Sequence, residues 1–301
     1  MQEKSMEDDI SIPLINTQDI EILMHRDAHF GGNFSVMLEY YNEDGVGVMP
    51  DFEIERIHYL QQAEGALGSN LSLHLMPEAA VALVERSKKM YQDLRAVYEE
   101  GGVGVGQLVS DLILTESEDA KKEIDALIAH GDVAAKALLN LISSDSFFDP
   151  LYPGYGRAPA LAARALSKMK YEKAIPFLFT AIGQDNFYVD EEIIQALVSF
   201  GTLSKKFLLE RLQSKPYSKD NLTAIIALSS FEDDEEIAEI ALTLLEDPLT
   251  FKHESFAIYL VFTGSNLKNE KNRHRFKAVS HLSHVPASIK NEMEIVIKLW
   301  R

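Results

Sequence analysis

The sequence contains no cysteine. Disulfides, thiolate metal sites, cysteine nucleophiles and cysteine-linked cofactors are excluded at one stroke. No apolar run approaches the ~18 residues of a membrane-spanning helix, and the start, MQEKSMEDDI, is acidic where a secretory leader is basic and then apolar. A cytoplasmic protein without a membrane partner is therefore expected. Alternating apolar and polar runs are scarce, which leaves little room for sheet. Positive charge is also short: 29 Lys and Arg stand against 47 Asp and Glu, a net charge of −18. The deficit is uneven, with 23 acids and 7 bases in residues 1–120 against 24 and 22 in residues 121–301. Nucleic-acid binding needs a positive footprint, and the whole-chain balance argues against it.

What is present is a repeat. IDALIAHG (124–131), AARALSKMK (162–170), IIQALVSFG (193–201), AIIALSSFE (224–232) and AIYLVFTG (257–264) align on Ala126, Ala165, Ala196, Ala227 and Tyr259, at steps of 39, 31, 31 and 32 residues. A second apolar segment follows each of the first four: VAAKALLNLI (133–142), KAIPFLFTAI (173–182), LSKKFLLERL (203–212) and EIAEIALTLL (236–245). Apolar residues in these segments recur at helical spacings, so each unit reads as helix, tight turn, helix. Gly131, Gly201 and Gly264 fall where the first helix should stop, a place that favours positive φ. Pro176 lies in a first turn, and Pro248 follows a helix as a stop. A two-helix unit of this size cannot bury its own apolar face, so neighbours must stack and share one core. Small residues at four of the five anchors let paired helices approach closely.

This pattern resembles the HEAT repeat family, particularly the short variety of phycobilin lyases, whose units carry an Ala-Leu-x-x-x-Gly core followed by a Pro-x-Leu helix. AIPFL (174–178) and ALVSFG (196–201) are the nearest matches, and the resemblance covers roughly 121–264. It implies an all-α fold, an α-α superhelix of the HEAT/armadillo-like solenoid type. It also implies a non-enzymatic scaffold that binds another protein through its curved surface, with no cofactor. Members usually line the concave face with second helices, which here would expose Lys136, Asn140, Lys173, Thr180, Lys205 and Arg211.

Ahead of the repeats, TQDIEILMHRD, NFSVMLEYYNED, DFEIERIHYLQQAEGAL and MPEAAVALVERSKKMYQDLRAVYEE each read as a helix, with a break at DGVGVMPD. The expected organisation is an acidic tail over 1–16, a helical N-terminal cap region over 17–106, and a solenoid with a C-terminal cap helix over 107–301. Whether 17–106 holds degenerate repeats or a separate bundle stays open. GGVGVGQLVSDLIL (101–114) puts four glycines before a helix, but no strand precedes it and no Lys-Ser/Thr follows, so it reads as a hinge and not a phosphate loop.

Four places invite a chemical reading. The longest step contains SDSFFDPLYPGYGR (144–157), read as an ordered loop in which Phe147 and Phe148 pack while Tyr152 and Tyr155 meet a partner. Together with Lys136, Lys173, Lys205 and Arg211, these tyrosines form the expected partner-binding set. His25, Asp27 and His29 have the most metal-like spacing, and a metal-dependent enzyme built on them is the rival reading. On a helix the two histidines share a face and Asp27 points elsewhere, so a capping and turn cluster is preferred. His253-Glu254 looks like one of the four His-Glu pairs of deoxyhypusine hydroxylase, but the equivalent openings read VDEEII and SKDNLTA, and one pair cannot hold a di-iron centre. Finally, Lys268, Lys271, Arg273, Arg275 and Lys277 make a locally basic stretch that is either a solvated helix face near the end cap or a phosphate-contacting patch. Trp300 is expected to close the C-terminal core.

Overall fold

The structure, a computed structural model, describes residues 16–43, 50–99, 104–184 and 186–300. The acidic tail up to residue 15, most of the DGVGVMPD break and the start of the glycine-rich stretch, with Gly101 and Gly102, lie outside the described residues. Every regular element among the described residues is helical, and none is a strand. The chain divides into two compact units, Met1–His130 with Ser144–Pro159, and Gly131–Ser143 with Ala160–Arg301.

The first unit contains α1 (Thr17–His29), α2 (Phe34–Asn42), α3 (Ile54–Leu67), α4 (Ser72–Leu75), α5 (Glu78–Glu99), α6 (Val105–Leu114) and α7 (Lys121–Ile128). Helix α1 begins at a reciprocal cap: Asn16 Oδ1 accepts from the Asp19 amide while the Asp19 carboxylate accepts from the Asn16 amide. Two of the amide donors that a helix start leaves orphaned are thereby satisfied. Ile22 and Leu23 of α1 join Phe34, Met37, Ile57 and Leu60 in one core. Beside that core sits a fully buried guanidinium. Arg26 donates to Asp27, to Glu64 at 2.6 Å, to Asn70 at 2.8 Å and to Ser72 at 2.7 Å, and it lies over the Phe34 ring. Asp19, also fully buried, accepts two bonds of 2.6 Å from Arg56. These two charges tie α1 to α3 and α4. The four-residue α4, absent from the sequence reading, exists to deliver Ser72 to Arg26 and Leu71 to the core.

The second unit contains α8 (Gly131–Ile142), all but the first two residues of α9 (Ala158–Lys168), α10 (Ile175–Ala181), α11 (Phe187–Ser199), α12 (Thr202–Leu212), α13 (Lys219–Leu228), α14 (Glu235–Leu245), α15 (Glu254–Thr263), α16 (Glu270–Ser280) and α17 (Ala287–Leu299). Helices here pack on a chain neighbour or a next-but-one neighbour: α11 on α12 and α13, α13 on α15, α14 on α15 and α16, α15 on α17. This is the stacking of a helical solenoid. Ala165, Ala196 and Ala227 are buried at the contacts, whereas Ala126, on α7, and Tyr259, on α15, are half-buried. Ion pairs join consecutive repeats. Arg164 meets Glu192, Lys205 meets Asp234, Lys215 meets Asp247 and Arg275 meets Glu246, at chain separations of 28, 29, 32 and 29 residues.

Gly131 and Gly201 take the expected positive φ, at 57° and 63°. Gly264 does not; its φ is −59°. Glycine is required there by space, because a Cβ would lie 2.6 Å from the Phe276 ring. The Gly264 carbonyl accepts from Trp300 Nε1 at 3.1 Å, and the indole meets Phe276 edge-on at 5.3 Å. Trp300 thus closes the end of the second unit.

Candidate interaction surface on the second helices

Aligning the four second segments residue by residue exposes a common pattern. The second, third, sixth, seventh, ninth and tenth positions of the ten-residue segments face inward, with partial exceptions at Lys205, Leu139 and Arg211. The first, fourth, fifth and eighth positions face outward. They present Val133, Lys136 and Asn140 on α8, Lys173 and Pro176, Phe177 and Thr180 at and on α10, Leu203, Lys206 and Phe207 on α12, and Glu236, Glu239 and Thr243 on α14. Three outward apolar side chains are exposed: Val133 at 64 %, Phe177 at 44 % and Leu203 at 50 %.

Between α10, α12 and the start of α13 this surface dips into a groove of about 200 Å³. Phe179, Ile182 and Phe207 form its floor, with Phe179 and Phe207 meeting edge-on at 5.5 Å. Arg211, Lys219 and Asp220 form its rim. The Arg211 guanidinium lies 5.0 Å above the Phe207 ring. Its backbone is pinned by Asn221, a fully buried residue whose amide nitrogen donates to the carbonyls of Arg211, Leu212 and Ser214. That one side chain caps the end of α12 and begins α13. Phe179, Phe207 and Lys219 were not singled out in the sequence. The available signal was the alignment of second segments, which places Phe177 and Phe207 at the same outward position.

The expected partner-binding residues separate into groups. Lys136, Lys173 and Arg211 are exposed, as are Asn140 and Thr180. Lys136 pairs with Asp132 one helical turn away. Lys205 is 17 % exposed and held between Asp234 and Glu236. Tyr152 and Tyr155 lie in the first unit. Tyr152 is 7 % exposed and packs with Ala28, Val84 and Leu151. Tyr155, half-buried, stacks on His29 with ring centroids 4.3 Å apart. Phe148 is buried and Phe147 half-buried.

His29 explains this loop. Its Nε2 faces the Pro150 carbonyl at 3.0 Å, and a carbonyl can only accept, so Nε2 carries the proton. Nδ1 then accepts from the Tyr91 hydroxyl at 2.8 Å. Burial lowers the His29 pKa to about 4, against the opposing pull of the Pro150 carbonyl. Burial, and then the neighbouring His29, lowers that of His25 to about 3. The two rings share a face of α1, 5.3 Å apart, while Asp27 turns to Arg26. Both His29 nitrogens are engaged, and among the described residues no three His, Asp or Glu side chains converge as metal ligands would. The cluster fastens residues 150–155 to α1.

In the basic stretch, Arg275 pairs with Glu246, and Arg273 donates to the Leu267 carbonyl and lies over Trp300. Lys268 reaches the Asp233 carbonyl and Lys277 lies over Trp300. Most of this charge is spent inside the second unit. His253 is exposed, edge-on to Tyr217, and Glu254 accepts from Ser288. No helix among the described residues is long and apolar enough to cross a membrane.

A sequence model of HEAT repeats matches residues 156–229. This segment is thus similar to HEAT repeats. It contains the three buried anchors Ala165, Ala196 and Ala227, which are separated by the two regular steps of 31 residues. The groove, lined from Pro176 to Thr223, lies wholly within the HEAT segment. The match is to HEAT repeats in general and does not single out the short phycobilin-lyase variety. No curated protein and no solved structure matches the chain.

Proposed function

We propose that this protein is a non-enzymatic HEAT-repeat scaffold that binds another protein through the outward strip of its second helices. One observation carries the reading: Val133, Phe177 and Leu203 stand exposed near the starts of three successive second helices. Scattered exposed apolar residues are ordinary, whereas exposed apolar residues recurring on equivalent helices of an array mark a contact surface. Lys136 and Lys173 belong to the same strip and supply polar contacts along it, and Arg211 stands exposed beside it at the rim of the groove. Tyr152 and Tyr155 have their function as the clasp of the first unit.

The test replaces Val133, Phe177 and Leu203 together by Ser in the full chain and compares proteins captured by the variant and the wild type, quantified by mass spectrometry. A partner recovered with the wild type should fall at least about tenfold with the variant, while the melting temperature is unchanged. Equal recovery of every captured protein by both would overturn the reading.

A further inference from the structure

The geometry points to a docking subsite in the groove between α10, α12 and α13 that takes a peptide segment of a protein partner, an aromatic or branched apolar side chain followed by a carboxylate. The proposal rests on the scaffold reading and adds the chemistry of the partner. Size is the first argument. Small-molecule sites run to about 300–1,000 Å³, and this groove, at about 200 Å³, suits one side chain and not a cofactor. Its floor is apolar and partly aromatic, and an apolar or aromatic side chain entering it meets the edge-on pair Phe179 and Phe207.

Charge is the second argument. In the second unit, cations that join repeats are neutralised: Arg164 by Glu192, Lys205 by Asp234 and Glu236, Lys215 by Asp247. Arg211 and Lys219, at the rim of the groove, have no ion-pair partner among the described residues. Lys219 instead folds across the loop after α10, its Nζ 3.4 Å from where a Cβ of Gly183 would stand. Asp220 is the one acid of the lining, so the rim is net positive by one charge. It suits a single carboxylate, and the guanidinium above Phe207 places that carboxylate next to the apolar side chain. A charged planar donor stacked on a ring is already preorganised for a carboxylate, which raises the gain per bond formed.

The probe is a fluorescein-labelled peptide, Gly-Ser-Gly-Phe-Glu-Gly-Ser-Gly, titrated with the full chain by fluorescence anisotropy. Two further peptides replace its Phe by Ala and its Glu by Lys. Saturable binding should weaken about tenfold or more with either altered peptide and with Arg211→Glu. Lys271→Glu, the same charge change on an exposed residue of α16, should leave it unchanged. Absence of saturable binding up to about 1 mM, equal binding of the Lys peptide, or indifference to Arg211→Glu would each overturn the proposal. A partner still lost from the Val133, Phe177 and Leu203 variant would, in that event, leave the scaffold standing while the subsite falls.

Discussion

The two units are stabilised by different kinds of contact. In the first, α1 is held by interactions made once: Arg26 with Glu64, Asn70 and Ser72, Asp19 with Arg56, His29 with Tyr91 and Pro150, across chain separations from 37 to 121 residues. In the second, one kind of contact is reused, with small anchors in the core and an ion pair about one repeat away at the surface. Buried charges of the first kind penalise the loss of either partner severely, because the survivor stays desolvated. The surface pairs of the second kind contribute little each, and stability there comes from stacked apolar faces summed along the array.

The sharpest way to break this contrast is Arg26→Ala. It strands Glu64 and the polar groups around it, and the expected cost is about 3–5 kcal/mol. Calorimetry should show a transition assigned to the first unit at lower temperature, with the second unit melting as before. One cooperative transition shifted as a whole would refute the distinction. In the second unit the comparable insult is to the anchor. Ala196→Trp forces an indole into a site 3 % exposed, at an expected cost of about 2–3 kcal/mol. An unchanged urea midpoint, followed by far-ultraviolet circular dichroism, would mean that the anchor is not at the helix contact.

The third test uses protons. His25 and His29 have folded-state pKa values of about 3 and about 4, below the ordinary 6.5. The unfolded chain therefore binds more protons between these values, and the stability these rings give is whole above pH 6.5 and lost as pH falls toward them. At pH 5 the loss is about 2 kcal/mol for each ring. Tyrosine signals in near-ultraviolet circular dichroism should report it, since Tyr91 and Tyr155 contact His29. His29→Gln removes one titrating ring, so its melting temperature should fall less between pH 7 and pH 5 than that of the wild type. An equal fall in both would show that the buried imidazoles are not the source.

The contrast also explains what the sequence could disclose. Ala165, Ala196 and Ala227 announced themselves because each repeat restates the same steric demand. So did Pro176, whose role in the first turn of α10 is local. His25 and His29 sharing a face followed from helical spacing alone. The tautomer of His29 did not, because the atom that sets it, the Pro150 carbonyl, lies 121 residues along the chain. Tyr152 and Tyr155 carried the composition of an interface, and nothing in their neighbourhood announces that α1 and α5 would cover them. Gly264 was legible as a glycine and misleading as to cause. A turn and a close approach leave the same letter, and only the place of Phe276 separates them.

The pairs between repeats have one more consequence. The cores are nearly interchangeable, and a repeat could dock on the wrong neighbour with similar apolar burial, a characteristic failure of repeat arrays. The pairs are not interchangeable. At the third position of the aligned second segments stand Ala135, Ile175, Lys205 and Ala238, so one segment alone offers a lysine there, and the acids that meet it, Asp234 and Glu236, open the next second helix, α14. Arg164 with Glu192 and Arg275 with Glu246 mark other junctions in the same way. Each weak bond works as an address, telling otherwise similar modules in which order they belong.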